Sequence, residues 1–494
     1  MTIAVDDHRR LAGELLGDAA LYIGDTRLTT ASGGVHHHVN PATGLAQADV
    51  PLAGPSEIAD AVAAARDAFE VWRRWQVDER RDALMRLAAL VLRDASTIGS
   101  VLALEAGVPA AVGGGLPKRA ADYLAYYAGW ADKLEGSTVP IVPERAFDYT
   151  LVEPLGVIGI ISTWNGGISS ICRKAGPALA VGNTVVVKPM ELAPFSVMRF
   201  AELALEAGIP PGVVNVVPGD GAAGQALCEH PGVDKLSFTG GIDTARRIMA
   251  AALTNITPVV LELGGKSGNI VFPDADLAAA GTFSGAVCMG MAGQGCVFPT
   301  RLIVHEDVHD QILERVLATA GGLPLGDPLD TSTVVGPVIN EGHRDRIMGM
   351  IDAARAEGSG EVVLGGERAG GELADGFFIR PTVIDRVDSG ATIAQEEVFG
   401  PVLSVMTFSD EEEAIALAND TRYGLAGYVH TNDLRRAHRV AAALDAGYVS
   451  LSSFAALPAS APFGGFGRSG IGKEGGREGL LEFTRTKNVY LGME

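Results

Sequence analysis

Thr184-Val-Val-Val-Lys188, a helical pattern from Phe195 to Ala207, and then Val213-Val-Asn-Val-Val217 make up the stretch that decides the fold. Two β-branched runs of strand length flank a segment with helical spacing of apolar residues. The runs are near-continuously apolar rather than alternating, as strands covered on both faces are. The same grammar extends outward. Val157-Ile-Gly-Ile-Ile-Ser162 precedes the stretch; Lys235-Leu-Ser-Phe-Thr239 and Val259-Val-Leu-Glu-Leu263 follow it, with a helical pattern at Thr244 to Leu253 between them. Strands alternating with helices predict a parallel, doubly wound sheet built from βαβ crossovers.

Further out, helical patterns cover Pro55 to Phe69, with Ser56 as the expected cap, Glu79 to Arg93, and Leu116 to Leu134. Residues 1–55 read as an arm with short strands, such as Ala20-Leu-Tyr-Ile-Gly24, and a turn at Asn40-Pro-Ala-Thr-Gly44. A second α/β segment runs from about 265 to 460. It includes Arg301-Leu-Ile-Val-His305, Gln311 to Ala320, Arg346 to Ala356, Glu361-Val-Val-Leu364 and Asp433 to Leu444. The tail Asn488-Val-Tyr-Leu491 resembles a lone terminal strand. Such a strand needs a partner edge, for which another subunit is a candidate.

The 494 residues are enough for two domains with a large core. Against 39 Lys and Arg stand 60 Asp and Glu, a formal charge of −21, which disfavours nucleic acid and anionic membrane as partners. Cys172, Cys228, Cys288 and Cys296 form no CxxC pair, so a disulfide framework is not expected and a reducing cytoplasm fits. Met1 to Asp7 is acidic, with neither signal-peptide region, and no apolar run is long enough to span a bilayer. His36, His37 and His38 are adjacent in an extended segment, where neighbouring side chains diverge, so no metal site is expected.

Five features carry chemistry. Gly219-Asp-Gly221-Ala-Ala-Gly224 matches GxGxxG between a strand and a helix, and Phe238-Thr-Gly-Gly-Ile-Asp-Thr-Ala245 has the same placement. Either helix N-terminus can hold an anion; the second is preferred for a pyrophosphate, with the first nearer an adenosine. Glu191, just past the strand ending in Lys188, can accept both ribose hydroxyls and repels a 2′-phosphate, which favours NAD over NADP. Glu262 lies inside an apolar run, where desolvation raises a carboxyl pKa and suits it to be a general base. Cys296 sits among Gly290, Gly293 and Gly295, a setting that lets a ligand approach a thiol nucleophile closely. The plainer alternatives are two ordinary αβ turns, solvated surface acids and a buried inert cysteine.

Glu262-Leu-Gly-Gly-Lys266, followed 34 positions later by Cys296 in Gly-Gln-Gly-Cys, resembles the aldehyde dehydrogenase superfamily. Glu153-Pro-Leu-Gly-Val157, Trp164-Asn165, Lys174 to Pro189, Phe238-Thr-Gly240, Glu396-Glu-Val-Phe-Gly-Pro401 and Pro462 to Gly470 agree, in the family's order. The resemblance runs from about residue 20 to the C-terminus. It implies an α/β fold. A Rossmann-like, NAD-binding domain would span residues 1–137 and 155–263, and an α/β catalytic domain 264–460. Small oligomerisation strands would lie at 138–154 and 478–494, giving a homodimer or homotetramer.

The resemblance also implies roles. Cys296 would attack the aldehyde carbon, with the oxyanion held by the Asn165 amide and the Cys296 backbone N–H. Hydride would pass to NAD, and Glu262 would activate water to hydrolyse the thioester. Lys174 and Glu474 match a proton-relay pair behind Glu262. Ile160, Ile161, Thr163 and Trp164 would line the cofactor mainly through backbone, with Lys188 and Glu191 at the adenosine ribose. Gly221, Phe238, Gly240, Gly241 and Thr244 belong to the two turns, and Leu263 follows the base. Glu397, Phe399 and His343 would face the nicotinamide ribose and ring. Gly166, Ser170, Arg173, Val297 and Leu457 would form the substrate pocket. An arginine at a position like 173 suits the distal carboxylate of a semialdehyde; the alternative is an arginine tied to a neighbouring loop, and no second arginine is evident in the sequence.

The chain departs from the pattern in two places. Gly240-Gly-Ile-Asp-Thr-Ala245 replaces Gly-Ser-Thr-x-x-Gly, and Trp164-Asn-Gly-Gly167 replaces Trp-Asn-Phe-Pro, which predicts a roomier channel or a looser loop. Rival readings are a CoA-acylating relative, a cysteine hydrolase, and a non-catalytic binding protein on the same fold. Glu262 argues against the first. No His in a pairing motif supports the second, and intact Cys296, Glu262 and Asn165 oppose the third.

Overall fold

A computed structural model describes residues 4–142, 145–453 and 457–493. Its first sheet has eight strands, in the spatial order Gly470–Ile471 (β18), Val259–Glu262 (β10), Lys235–Thr239 (β9), Val157–Ile161 (β6), Thr184–Lys188 (β7), Val214–Val216 (β8), Leu21–Ile23 (β1) and Thr26–Leu28 (β2). The five central strands, β10 to β8, are parallel. From β6 the chain winds outward to β7 and β8, then returns to the other side for β9 and β10. The winding reverses between β6 and β9, and ligands of such sheets bind outside the strand ends at that point.

Burial explains the strand composition. Every residue of β6 and β7 is buried. Ile158, Ile160, Val185 and Val187 join one core, while Val157, Ile161 and Val186 join the other. The first face is covered by helices Val77–Arg93 (α3), Gly115–Ala128 (α4), Gly167–Ala180 (α5) and Phe195–Glu206 (α6). The second is covered by Pro55–Trp72 (α2), Gly221–Glu229 (α7) and Ile242–Ala252 (α8). Each fully buried Val or Ile contributes roughly 1.5–3 kcal/mol, so neither face tolerates a polar strand residue without a partner.

Several local expectations change. The N-terminal arm opens with a helix, Val5–Leu15 (α1), which His8 ties to Asp327 at 3.0 Å. The cap of α2 is Gly54, not Ser56: Pro55 occupies the first turn and the Glu57 carboxylate accepts from the Gly54 N–H at 2.8 Å. Helix α4 stops at Ala128, before a Gly129-Trp130 turn, rather than running to Leu134.

The second sheet has seven strands, ordered Glu361–Leu364 (β13), Thr382–Asp385 (β14), Val402–Phe408 (β15), Arg301–His305 (β12), Gly268–Val271 (β11), Ala426–His430 (β16) and Tyr448–Leu451 (β17). All neighbours are parallel except β13 and β14. Helices His309–Gly322 (α9), Glu341–Glu357 (α10) and Leu434–Ala443 (α11) accompany it.

Two antiparallel ribbons complete the fold. Val35–Val39 (β3) pairs with Ala46–Pro51 (β4), and Ala146–Pro154 (β5) pairs with Thr484–Gly492 (β19) over nine residues. The terminal strand therefore finds its partner edge in the same chain. On β3, His37 meets Asp49 at 2.6 Å, while His38 turns inward to the Leu192 carbonyl at 2.9 Å. No single described helix is long and apolar enough to cross a membrane.

Candidate active site

Cys296 follows a kinked turn, Gly290–Gly293, in which Met291 and Ala292 have φ of 49° and 53°. Such left-handed residues cost about 1–3 kcal/mol each and persist only where surrounding contacts fix them. The fixing contacts are close. A Cβ on Gly293 would lie 2.0 Å from the Gly400 carbonyl, and one on Gly265 would lie 2.4 Å from the Cys296 carbonyl oxygen. The Cys296 loop is thus pressed between the Glu262-Leu-Gly-Gly segment and the segment carrying Glu397 and Phe399.

The Asn165 amide donates to the Gln294 carbonyl at 2.9 Å, two residues before the cysteine. Gln294, which is buried, uses its side-chain oxygen to accept from the Trp164 indole and the Ile339 N–H, both at 3.0 Å. One amide hydrogen of Asn165 is therefore spent on orientation, and the other has no acceptor among the described residues. It is available to an oxyanion beside Cys296.

Glu262 ends β10 and is 3% exposed, with neither carboxylate oxygen hydrogen-bonded. Burial, reinforced by Glu474, holds its pKa well above the ordinary carboxylate value, against the pull of Arg173, Lys174 and Lys473. Burial likewise pushes the Cys296 thiol up to about 12, with Glu397 acting in the same direction and Arg173 opposing it. Behind them, Lys174 binds Glu474 and the Ser237 hydroxyl, the latter at 3.0 Å. Arg173 Nε lies 2.5 Å from the other Glu474 oxygen. Burial alone would raise the Glu474 pKa, but these two cations outweigh it and keep the group ionised.

Cys296 lines the smaller lobe of a two-lobed cleft, about 740 and 590 Å³, whose lobes share Thr163, Trp164, Thr239, Gly240, Gly241 and Thr244. They lie past the carboxyl ends of β6 and β9, where the winding reverses. The first lobe reaches Ile161, Lys188, Glu191, Gly221 and Phe238. The second reaches Asn165, Glu262, Leu263, Cys296, His343, Glu397 and Phe399. Of the cofactor candidates only Ile160 is set back, fully buried in the core behind the wall.

The two candidate anion sites now separate. Helix α7, which begins at Gly221 inside the GxGxxG segment, is already capped: the Asp220 carboxylate accepts from Ala222 and Ala223 N–H at 2.8 and 3.2 Å. Helix α8 begins after Gly241 with no side-chain cap, so its first N–H groups remain open. Lys188 donates to the Gly219 carbonyl, beside Glu191. At the far end, the rings of Trp164, His343 and Phe399 stand 5.5–6.0 Å apart. Burial pushes the His343 pKa down to about 4, and its neutral ring bonds the Phe399 carbonyl at 2.7 Å. Glu397 accepts from Gly265 N–H at 3.1 Å.

On the other side of Cys296, Val297 and Leu457 pack with Phe463 and Tyr428. Leu457 has a φ of 42°, a second strained point beside the site. The Gly166-Gly167 pair is tightly seated: a Cβ would fall 2.6 Å from Ser170 Cβ and 2.5 Å from Leu102 respectively. The space left by the missing Phe-Pro is thus partly taken by Leu102 and Ser170. Arg173 is engaged by Glu474 and lies over the Phe463 ring at 5.3 Å.

Three residues escaped the sequence reading. Gln294 was visible only as part of Gly-Gln-Gly-Cys. Arg346, on α10, donates to the carbonyls of Glu397 and Val398 and pins that segment. Arg119, on α4, stands one turn before Tyr123, whose hydroxyl donates to the Leu457 carbonyl at 3.2 Å. Both arginines sit on helices without a motif, and the fold brings Arg346 to the lobe that Cys296 lines.

A sequence profile of the aldehyde dehydrogenase family matches residues 29–489. The structure of PnpE in complex with nicotinamide adenine dinucleotide is 40% identical, with a TM-score of 0.94 over 97% of this chain and 98% of that one. Betaine aldehyde dehydrogenase of Staphylococcus aureus in complex with NAD+ is 35% identical, with a TM-score of 0.95 over 98% of this chain and 97% of that one. An aldehyde dehydrogenase of Bacillus cereus, a G224D mutant, is 36% identical, with a TM-score of 0.95 over 100% of both chains. By the match over residues 29–489 and the likeness to these structures, this chain belongs to the aldehyde dehydrogenase family.

Proposed function

We propose that the protein oxidises an aldehyde to its carboxylic acid with NAD as acceptor, using water rather than coenzyme A to release the product. The observation that carries this reading is Glu262: a buried carboxylate without a partner, lining the same lobe as Cys296 and Asn165. Such a group is costly to keep unless it works as a base.

The cleft fits the cofactor. The open N-terminus of α8 suits a pyrophosphate, Glu191 and Lys188 suit the adenosine ribose, and Glu397 with Phe399 suits the nicotinamide ribose and ring. NAD, when bound, accepts hydride from the substrate carbon. Cys296 Sγ bonds to the aldehyde carbon, and the oxyanion receives the free Asn165 N–H and the Cys296 backbone N–H. Arg173 favours the thiolate over the thiol. Once the carbon is at the acyl level, Glu262 takes a proton from water as it attacks the thioester, the carbon–sulfur bond breaks, and Cys296 leaves as the thiolate while the carboxylic acid departs, with Glu474 and Lys174 paired behind Glu262.

The four cysteines are free, and a cytoplasmic enzyme suits them. Self-association as a dimer or tetramer is assigned to the β5–β19 ribbon, which presents exposed Phe147, Leu151 and Leu491. The experiment is NADH absorbance from the purified protein, NAD and a panel of aldehydes, with and without coenzyme A. We expect NADH without coenzyme A. Silence with every aldehyde defeats the reading, and a strict coenzyme A requirement replaces it with the acylating one.

A further inference from the structure

We propose that Lys266, a buried lysine outside the lining of the cofactor cleft, is a positioning residue for NAD: its charge keeps Glu397 ionised and able to accept the nicotinamide ribose hydroxyls. The inference rests on the ribose role given to Glu397 above and adds the group that tunes it.

The first ground is a cation without a partner. Lys266 is 1% exposed, and among the described residues its Nζ has no hydrogen-bond partner. A buried ammonium is costly unless a nearby charge answers it. The cavity of about 20 Å³ that Lys266 lines with Arg301 and Tyr423 has room for one water, which can accept from Nζ but brings no charge. Burial pulls the Lys266 pKa down to about 7. Arg301 and Arg346 pull the same way, while Glu397 and Glu396 oppose them.

The second ground is that the other charges around Lys266 are committed. Glu396 is paired with Arg422. Arg301, on β12, spends its donors on the carbonyls of Lys266, Leu417 and Ala418. Arg346, on α10, spends its own on the carbonyls of Glu397 and Val398. The Glu397 carboxylate, by contrast, accepts one hydrogen bond among the described residues, from Gly265 N–H at 3.1 Å. It lies against the backbone that leads into the lysine: a Cβ on Gly264 would fall 2.1 Å from its Oε2. Burial raises the Glu397 pKa to about 7; the Gly265 N–H, Lys266 and Arg346 resist that rise. Tyr423 and the thiols of Cys288 and Cys296 also face the pair, and burial raises the pKa of each.

The third ground is what the lobe asks of Glu397. It shares the lobe with Cys296 and Phe399. Hydroxyls donate more strongly to a carboxylate than to a carboxylic acid. A carboxyl with a pKa of about 7 is half ionised at neutral pH, so a cation nearby decides what fraction of the protein is ready to bind. Lys266 is not in hydrogen-bond contact with Glu397, and its field acts through the low-dielectric interior. The effect is mutual: each charge favours the other.

The test is calorimetric binding of NAD, without aldehyde, from about pH 6 to about pH 9. It compares the wild type with Lys266→Met, Glu397→Gln and the double variant, with AMP as a control ligand for the adenosine side. Methionine keeps the volume and removes the buried charge, so Tm should be no lower. Wild-type affinity should be highest near pH 7 and fall on both sides, as Glu397 gains a proton below it and Lys266 loses one above it. Lys266→Met should move the acid-side loss up by about one pH unit, which is roughly fivefold weaker NAD binding at neutral pH. It should also abolish the alkaline-side loss and leave AMP binding unchanged. Glu397→Gln should weaken NAD binding about tenfold and flatten the profile, and the double variant should bind no worse than Glu397→Gln alone. An unchanged profile in Lys266→Met, a loss equal at every pH or shared by AMP, or additive losses in the double variant overturns the pairing and leaves Glu397 at the ribose. NAD binding indifferent to Glu397→Gln removes Glu397 from the ribose and the inference with it.

Discussion

Burial raises the pKa of both Cys296 and Glu262, and Arg173 opposes the rise at each. The raised pKa of Glu262 sets the direction of the pH dependence. Below that pKa the carboxyl keeps its proton and cannot act as a base, so on the proposed mechanism thioester hydrolysis should accelerate as pH rises through it. Glu262→Gln should retain a stoichiometric burst of NADH, lose roughly 10²–10⁴ in steady-state rate, and lose that alkaline rise; stopped-flow absorbance across a pH series reads all three. Asn165→Ala should cost roughly 10²–10³ in kcat. Gln294→Ala should reproduce part of that loss without touching substrate, since it frees the Trp164 indole and removes the side chain beside the Asn165 contact. These residues differ in legibility. Glu262 announced itself as an acid in an apolar run and Cys296 as a thiol among glycines. Gln294 acts through its backbone carbonyl as well as its side chain, and a backbone role leaves no mark in residue type.

At the scale of elements, α7 and α8 contrast. Both follow a parallel strand and a glycine-rich turn, yet Asp220 closes the first N-terminus with its own carboxylate and Gly241 leaves the second open. Gly241→Asp should close α8 in the same way and place a negative charge at the pyrophosphate site. The position has room for a Cβ, with nothing within 4 Å. KM for NAD should therefore rise about tenfold or more, given that a cap or charge at a helix end is worth roughly 1 kcal/mol or more and like charges add to it. Asp220→Ala should lower stability by about 1 kcal/mol, seen as a fall in Tm, with a much smaller change in KM. The five central strands were readable because burial on both faces leaves few polar positions, most of them near the strand ends. Strands β11 and β18 were not. Gly268–Val271 is only four residues long, and Gly470–Ile471 only two, defined by the backbone of β10 rather than by its own side chains. The capping residue of α2 was misplaced for a related reason: the deciding hydrogen bond comes from Glu57 back to Gly54, not from the serine between them.

The whole molecule leaves one element with little support. A two-stranded ribbon is marginal alone, and β5–β19 projects Phe147 opposite Leu491, which are 44% and 58% exposed. Glutamate at both positions should reduce the mass found by light scattering to that of a single chain; an unchanged mass would move the subunit contact elsewhere. The ribbon was half legible, since the tail read as a strand but its partner lies far away in sequence. The C-terminal region has a further consequence. Strand β18 lies against β10, with Gly470 paired to Glu262, and Glu474 follows immediately to neutralise Lys174. Between Glu262 and Glu474 the chain makes the whole second sheet. A polypeptide that stops short of Glu474 therefore already contains its reactive thiol but leaves Lys174 buried without its carboxylate partner. A chain cut before Glu474 should therefore be silent in the NADH assay although Cys296 itself is intact, because Lys174 would be left buried without its carboxylate.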